Sequence, residues 1–153
     1  PELVERLSHR TSAESDVEFL VDFQLQIEHS LDLTGRRAVL FVDAAHRGVV
    51  SANRSVGTLA EPDKDYLSGA AITPISADVS VTPATHALSA EAVLHVAQRL
   101  EGSVPPAWQL AIEGQSFDLG DGLSDRAEHH LCNALTLAQQ WLDARRCEAL
   151  SSP

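Results

Sequence analysis

Two side chains in the sequence combine the types and positions that metal or hydrolytic chemistry requires. Asp43 directly follows the apolar run AVLFV, and His86 comes three residues before Ser89, where a helix is predicted to begin. Open α/β sheets form their sites just beyond the carboxyl ends of the strands. A carboxylate and an imidazole together suit zinc or nickel. They make half of a metal site, since the sequence supplies no clear third ligand, and Asp43 as the cap of a turn is the alternative.

Asp22 and His46 are candidate neighbours of this pair. Asp22 lies near the end of an earlier predicted strand, and His46 follows Asp43 by three residues. Catalysis by a nucleophilic serine or cysteine is unsupported, because the sequence has no G-x-S-x-G motif and neither Cys132 nor Cys147 sits at a predicted strand–helix turn. We expect the other histidines to lie on the surface: His9, His29, His95, His129 and His130.

Predicted strands and helices alternate along the chain, and they are the elements that must position these residues. Strands are expected at residues 16–23, 38–42, 77–81 and 108–112. Helices are expected at the N-terminal PELVERL, at residues 25–33, from Ser89 to Gly102 and after Ser124. Alternation implies βαβ units, and AVLFV fits a strand buried on both faces. We therefore expect an α/β fold, a three-layer α/β/α sandwich with a mostly parallel twisted sheet, as a single domain over residues 1–153.

Charge and cysteine content restrict the classes of partner. A formal net charge of −11 in 153 residues argues against nucleic acid and anionic membranes, which both require basic patches. The two cysteines fit no zinc-spaced pattern, and we expect reduced thiols, as in a cytoplasmic protein. No apolar run approaches the ~20 residues of a membrane span, and no signal peptide opens the chain, so we expect no membrane partner.

Three segments taken in order resemble the hydrogenase maturation endopeptidases. RRAVLFVDAA is similar to the family's strand ending in a metal-binding aspartate. THALSAEAVLHVAQRLEGSVPPAW is similar to its loop histidine with the following helix and strand, and IEGQSFDLGDGLS to its Gly-Leu-Ser or Gly-Leu-Thr turn before the last helix. Order and spacing agree through nearly the whole chain apart from residues 46–80. THALS and FDLGDGLS are most similar to the branch that serves NAD-reducing, bidirectional hydrogenases.

The resemblance implies a set of ligands. In this family a metal ion is held by an acid near the N-terminus, an aspartate after the central strand and a histidine before a helix. The match puts the last two on Asp43 and His86. The first acid belongs to a glycine-rich strand and loop preceding a helix that resembles PELVERL, so we expect that a first strand and one ligand are missing; removal of an initiator methionine before Pro1 is the alternative. Asp22 stands where the family often has Asp-Gly-Gly-Thr, from which DFQL departs.

The resemblance also implies a function. The family removes a short C-terminal extension from the large subunit of a nickel–iron hydrogenase once nickel has been inserted. We therefore expect a cytoplasmic, monomeric endopeptidase whose partner is the large-subunit precursor. Asp43 and His86 would contact the precursor's nickel, and zinc or cadmium could take its place in a crystal. A metal-activated water and an aspartic-type carboxylate base both remain open as mechanisms.

Two alternative interpretations involve no proteolysis. A receiver-type signalling module would use Asp43 as phosphoacceptor, but such domains also need a lysine after a late strand. The only lysine, Lys64, lies in the region of residues 46–85, where the apolar residues follow neither helical nor strand spacing. A degenerate interaction domain would keep the same fold without catalysis.

Overall fold

The computed structural model describes residues 1–11, 16–46, 50, 66–77, 88–114 and 122–151 and combines helices with a small sheet. The general α/β class is therefore confirmed. In chain order the elements are α1 (Glu2–Arg10), a 3₁₀ helix (Ile27–Leu33), β1 (Val39–Ala45), β2 (Tyr66–Leu67), β3 (Ala70–Ile75), α2 (Ala90–Glu101), β4 (Ala107–Glu113) and α3 (Asp125–Ser151). None of the helices in these ranges has the length and apolar character needed to cross a bilayer.

The four strands form one sheet in the order β1-β4-β3-β2. The first two run parallel, because Val39 N–H donates to Pro106 O where both begin and Gly114 N–H donates to Ala45 O where both end. The end of β4 lies beside the start of β3, where Glu113 N–H donates to Gly69 O, and β2 pairs with β3 in the antiparallel sense. The sheet over the described residues is thus mixed, and the predicted mostly parallel sheet is not found there.

The contacts divide the chain into two compact units. The first consists of Pro1–Leu20, Val42–Ile72 and Leu110–Pro153. In it α1 contacts α3, and Leu3 and Leu7 of α1 are buried. The buried apolar residues of α3 follow the three- and four-residue spacing of an amphipathic helix; they are Leu131, Ala134, Leu135, Leu137, Ala138 and Leu142.

The second unit consists of Val21–Phe41 and Thr73–Gln109, and the 3₁₀ helix contacts α2 within it. Its buried cluster comprises Leu33, Val93, Leu94, Ala97 and Ala107. The predicted ends of α2 are confirmed: Ser89 Oγ accepts a hydrogen bond from Ala92 N–H, and Gly102 ends the helix with φ of 77°.

Several predicted boundaries differ from the structure. Residues 17–22 form no strand, and Leu20, Val21 and Phe23 are more than half exposed. The helix predicted at residues 25–33 is a 3₁₀ helix over its last seven residues. The strand predicted at residues 77–81 falls outside the described residues except for Ala77, which lies in a bend. The hairpin of β2 and β3 was not predicted.

Candidate functional site

Asp43 lies within β1, two residues before the strand ends at Ala45, so the strand continues past the point at which it was predicted to stop. The side chain is exposed. Its Oδ1 accepts a hydrogen bond of 2.8 Å from the N–H of the next residue, Ala44. This contact is local, so it leaves the carboxylate facing solvent near the carboxyl end of an otherwise apolar strand.

The structure locates two of the three other predicted site residues, His46 and Asp22. The third, His86, lies outside the described residues. His46 is exposed and directly follows β1 in the same unit as Asp43. Asp22 belongs to the second unit, where its Oδ1 accepts a hydrogen bond from Phe23 N–H at 2.6 Å and its Oδ2 lies 3.4 Å from His29 Nε2. The described contacts of Asp22 therefore hold the turn before the 3₁₀ helix.

The register of the parallel pair identifies a second carboxylate on the face that carries Asp43. In a parallel ladder, the two hydrogen bonds at the ends of β1 and β4 pair Val39 with Ala107 and Ala45 with Glu113. The offset is the same at both ends, so no bulge intervenes. Side chains alternate between faces, and Asp43, Ala45 and Glu113 therefore project from the same face of the sheet.

Glu113 is almost completely buried, with 5% of its surface exposed, although it carries a carboxylate. Its Oε2 lies 3.9 Å from Nη2 of Arg126, in the first turn of α3. Its backbone is bonded on both sides, because its N–H donates to Gly69 O at 2.8 Å and its carbonyl oxygen accepts from His130 Nδ1 at 2.8 Å. Pairing with a cation compensates for part of the cost of burying a charge.

His130 is 2% exposed, so its predicted place on the surface is wrong. The carbonyl of Glu113 can only accept, and Nδ1 of His130 therefore carries a proton. Nε2 is 3.4 Å from Arg126 Nε, which can only donate. Glu113, Arg126 and His130 are called the β4–α3 cluster below.

The nearby hairpin turn is fixed to α3 by an amide. Asn133 Nδ2 donates a hydrogen bond of 2.9 Å to Ser68 O, the residue before Gly69. Gly69 has φ of 77°, which favours glycine, and the antiparallel pairing of Leu67 with Ala70 closes the turn around it. The turn, the end of β4 and α3 are therefore joined by hydrogen bonds from Glu113, His130 and Asn133.

A second charged contact joins α1 to α3. The Arg6 guanidinium donates hydrogen bonds to both carboxylate oxygens of Glu128 and to Glu2. These bonds, first the one to Glu128 and then the one to Glu2, raise the pKa of Arg6. The hydrogen bond from Arg6 lowers the pKa of Glu128 below its ordinary value of 4.5. Both partners are accessible to solvent, so this pair is a feature of the surface.

The second unit contains two open hollows of about 780 and 280 Å³. His95 and Gln98 of α2 line the larger one, and His95 Nδ1 lies 3.3 Å from Ala77 O. His95 is thus partly buried, where a solvated side chain was expected. Neither hollow contains Asp43, Asp22 or His46. Over the described ranges, no three His, Cys, Asp or Glu side chains are grouped closely enough to hold a metal ion.

The chain has no match in three comparisons. Protein-family models, curated proteins and solved structures were all compared with it, and none is similar. The assignment of a function therefore depends on the residues and their geometry.

Sequence reasoning missed Glu113 although the signal was present. The predicted strand at residues 108–112 is followed directly by Glu113, just as the strand at residues 38–42 is followed by Asp43. Applying one rule to both strands would have identified both carboxylates. Arg126 had no comparable signal, since a charged residue in the first turn of a helix is usually a solvated one.

Proposed function

We propose that this chain is the peptidase domain of a hydrogenase maturation endopeptidase, which removes the C-terminal peptide from the nickel-loaded precursor of a nickel–iron hydrogenase large subunit. The proposal includes the family's three-layer α/β/α arrangement, a monomeric state and a cytoplasmic location. Nickel belongs to the substrate in this proposal. Asp43 and His86 contact it, and His46 is their neighbour.

The observation that carries the proposal is the exposed carboxylate of Asp43 on a strand that is otherwise apolar. Residues 39–42 are partly buried, whereas Asp43 is exposed and makes a hydrogen bond only to the adjacent N–H among the contacts described. Neighbouring parallel strands such as β1 and β4 end at one edge of the sheet, where α/β proteins bind their ligands. The cap at Ser89 gives further support, because the family has its histidine shortly before a helix.

The chemistry requires little of Asp43 beyond access and charge. An exposed carboxylate can bind a nickel ion that a protein-sized substrate presents, or it can accept a proton from the attacking water. Contact with nickel by Asp43 and His86 would restrict cleavage to precursors that have received their metal. The scissile bond would then be cut only after the hydrogenase site is filled.

The decisive experiment incubates the protein with nickel-loaded and nickel-free forms of a large-subunit precursor and measures loss of the C-terminal peptide by mass spectrometry. We expect cleavage of the loaded form alone. Asp43→Asn and His86→Ala should leave the loaded precursor uncut while the far-ultraviolet circular dichroism spectrum stays that of the wild type.

Matched controls use the same residue types at exposed helical positions. Asp143→Asn on α3 and His9→Ala on α1 should cleave at the wild-type rate. Normal processing by Asp43→Asn or by His86→Ala would refute the assignment of these residues. Failure of the wild type to cut a nickel-loaded precursor would remove the peptidase function itself.

A further inference from the structure

A basic side chain that lies beside Glu113 has an orientation that suits substrate binding. We propose that Arg126 is a substrate-binding residue of the candidate site and that its guanidinium holds a carboxylate of the peptide to be removed. The identity of the substrate rests on the proposed peptidase function, whereas the geometry of the β4–α3 cluster does not. The carboxylate has two sources: the α-carboxylate at the end of the extension, or an acidic side chain within it.

Arg126 reaches the face of the sheet on which Asp43 lies. Its Nη2 is 3.9 Å from the carboxylate of Glu113, which projects from the same face as Asp43 on the neighbouring strand. Asp43 and Glu113 are two residues apart along the ladder, so their Cα atoms are about 8 Å apart for ordinary strand spacing and rise. A peptide bound by Arg126 would therefore pass close to Asp43.

The guanidinium retains donors for a ligand. An arginine side chain carries five N–H donors in a planar fork. Within the described residues, the contacts of Arg126 use Nε, at 3.4 Å from His130, and Nη2, at 3.9 Å from Glu113. Its side chain is 44% exposed. No contact within those residues uses the N–H groups of Nη1, and a fork of this kind matches the two oxygens of a carboxylate.

Glu113 and His130 act as positioning residues. Each is buried, and each is fixed by a backbone hydrogen bond at the end of β4. They contact the guanidinium through two different nitrogens, which restricts its rotation before a substrate arrives. Binding then costs less conformational entropy than binding to a freely rotating side chain.

The charge of the whole chain makes such a cation distinctive. With a net charge of −11, most of the surface repels an anionic peptide. A guanidinium fixed on the face of Asp43 supplies a local attraction to one carboxylate. The arrangement would therefore orient the peptide by its charge.

Steady-state kinetics with the nickel-loaded precursor test this role. Arg126→Gln should raise KM about tenfold or more with little change in kcat, because a charge-assisted hydrogen bond is lost in the bound state. The KM of Arg126→Lys should lie between those of the wild type and Arg126→Gln, since lysine keeps the charge and loses the planar fork of N–H donors. Arg10→Gln at an exposed position of α1 is the control and should match the wild type.

Changes in the substrate identify the carboxylate. One precursor carries a C-terminal amide, and another has its acidic side chains in the extension changed to amides. One of these two changes in the precursor should raise the KM of the wild-type enzyme by the factor that Arg126→Gln causes with the unchanged precursor. The same change should not raise the KM of Arg126→Gln any further. Equal KM for all precursors and variants would overturn the proposal.

Two further measurements distinguish substrate binding by Arg126 from a purely structural role. Arg126→Gln alone removes the described contact of Arg126 with the buried Glu113 and could unfold, so Glu113→Gln/Arg126→Gln is made as well. This folded double variant should show the same increase in KM, and a wild-type KM would contradict substrate binding.

Binding without catalysis is followed by the NMR signal of Arg126 Nε–Hε. The probes are acetyl-trialanine with a free carboxylate, its amide, and acetyl-Ala-Glu-Ala amide. A saturable shift is expected with a carboxylate-bearing probe and not with trialanine amide. Absence of any shift overturns the proposal. A shift in a protein that cuts no precursor would instead retain the carboxylate site and remove the peptidase function.

Discussion

The imidazole of His130 lies directly against the backbone of Gly69. A Cβ atom added at Gly69 would come within 2.2 Å of Cδ2 and Cγ of His130 and within 2.4 Å of its Nδ1. The ring cannot move away easily, because it is 2% exposed and bonded to Glu113 O. Position 69 therefore requires glycine both for its φ of 77° and for the absence of a side chain.

Gly69→Ala should lower the free energy of unfolding by about 2–4 kcal/mol, which combines left-handed backbone strain with overpacking. Gly35→Ala is the matched control, since Gly35 has φ of 72° and no atom within 4 Å of an added Cβ. It should cost only the strain, about 1–2 kcal/mol. Urea unfolding measures both. Equal losses in the two variants would contradict the contact with His130.

The cap of α2 should affect activity beyond its effect on stability. Ser89→Ala removes the hydrogen bond to Ala92 N–H and should cost about 1 kcal/mol. Ser124→Ala removes the equivalent bond to Ala127 N–H at the start of α3 and should cost a similar amount. If His86 acts from just before α2, kcat should fall more in Ser89→Ala than in Ser124→Ala, whose effect on the nearby Arg126 would appear in KM. Equal kcat at equal stability would argue against that role.

The contact between Arg6 and Glu128 predicts a contribution to acid stability. The hydrogen bond from Arg6 lowers the pKa of Glu128 in the folded state, so the unfolded state binds a proton more readily. The contribution is present above the ordinary pKa of 4.5 and is lost as the pH falls through the lower, folded-state value. Glu128→Gln should therefore be slightly less stable than the wild type at neutral pH and should converge with it in acid.

Urea unfolding at neutral pH and at several acidic values measures this difference. Glu28→Gln on the 3₁₀ helix is the control, because Glu28 is exposed and makes no contact with Arg6 among those described. A difference between Glu128→Gln and the wild type that stays constant into acid would show that the ion pair is not its source.

Substitution of the two carboxylates on one sheet face should change the free energy of unfolding by different amounts. Asp43→Asn should change the free energy of unfolding by no more than about 0.5 kcal/mol, since its side chain is exposed and its described bond is local. Glu113→Gln should cost roughly 1–3 kcal/mol, because a buried charged contact with Arg126 is removed. Thermal and urea unfolding distinguish them, and a large loss in Asp43→Asn would assign that residue to the core.

The elements that the sequence predicted correctly are those with a strong local sequence signal. The helices that begin after Ser89 and Ser124 were predicted because a serine cap precedes an apolar stripe, and β1 and β4 because their runs are continuously apolar. The segment at residues 16–23 has an equally strand-like composition but no strand. Pairing with a neighbour decides whether such a segment becomes a strand, and a local window contains no information about that neighbour.

Two errors have identifiable physical causes. Pro74 argues against a strand, yet β3 includes it; the described pairing of β3 with β2 extends only to Ala71. His130 was expected on the surface because histidine is polar. It stands four residues before Ala134 and seven before Leu137, so extending the apolar stripe of α3 back by one turn would have predicted its burial.

The exposed thiols of α3 make this helix convenient to probe. Cys132 and Cys147 are both exposed and neither is in a disulfide. They are separated by four turns of a single helix, so their Cα atoms are about 22 Å apart along its axis. A donor and an acceptor dye attached to these thiols through maleimides would measure this separation by energy transfer, and replacement of the single helical distance by a broad distribution would report unwinding of that stretch of α3.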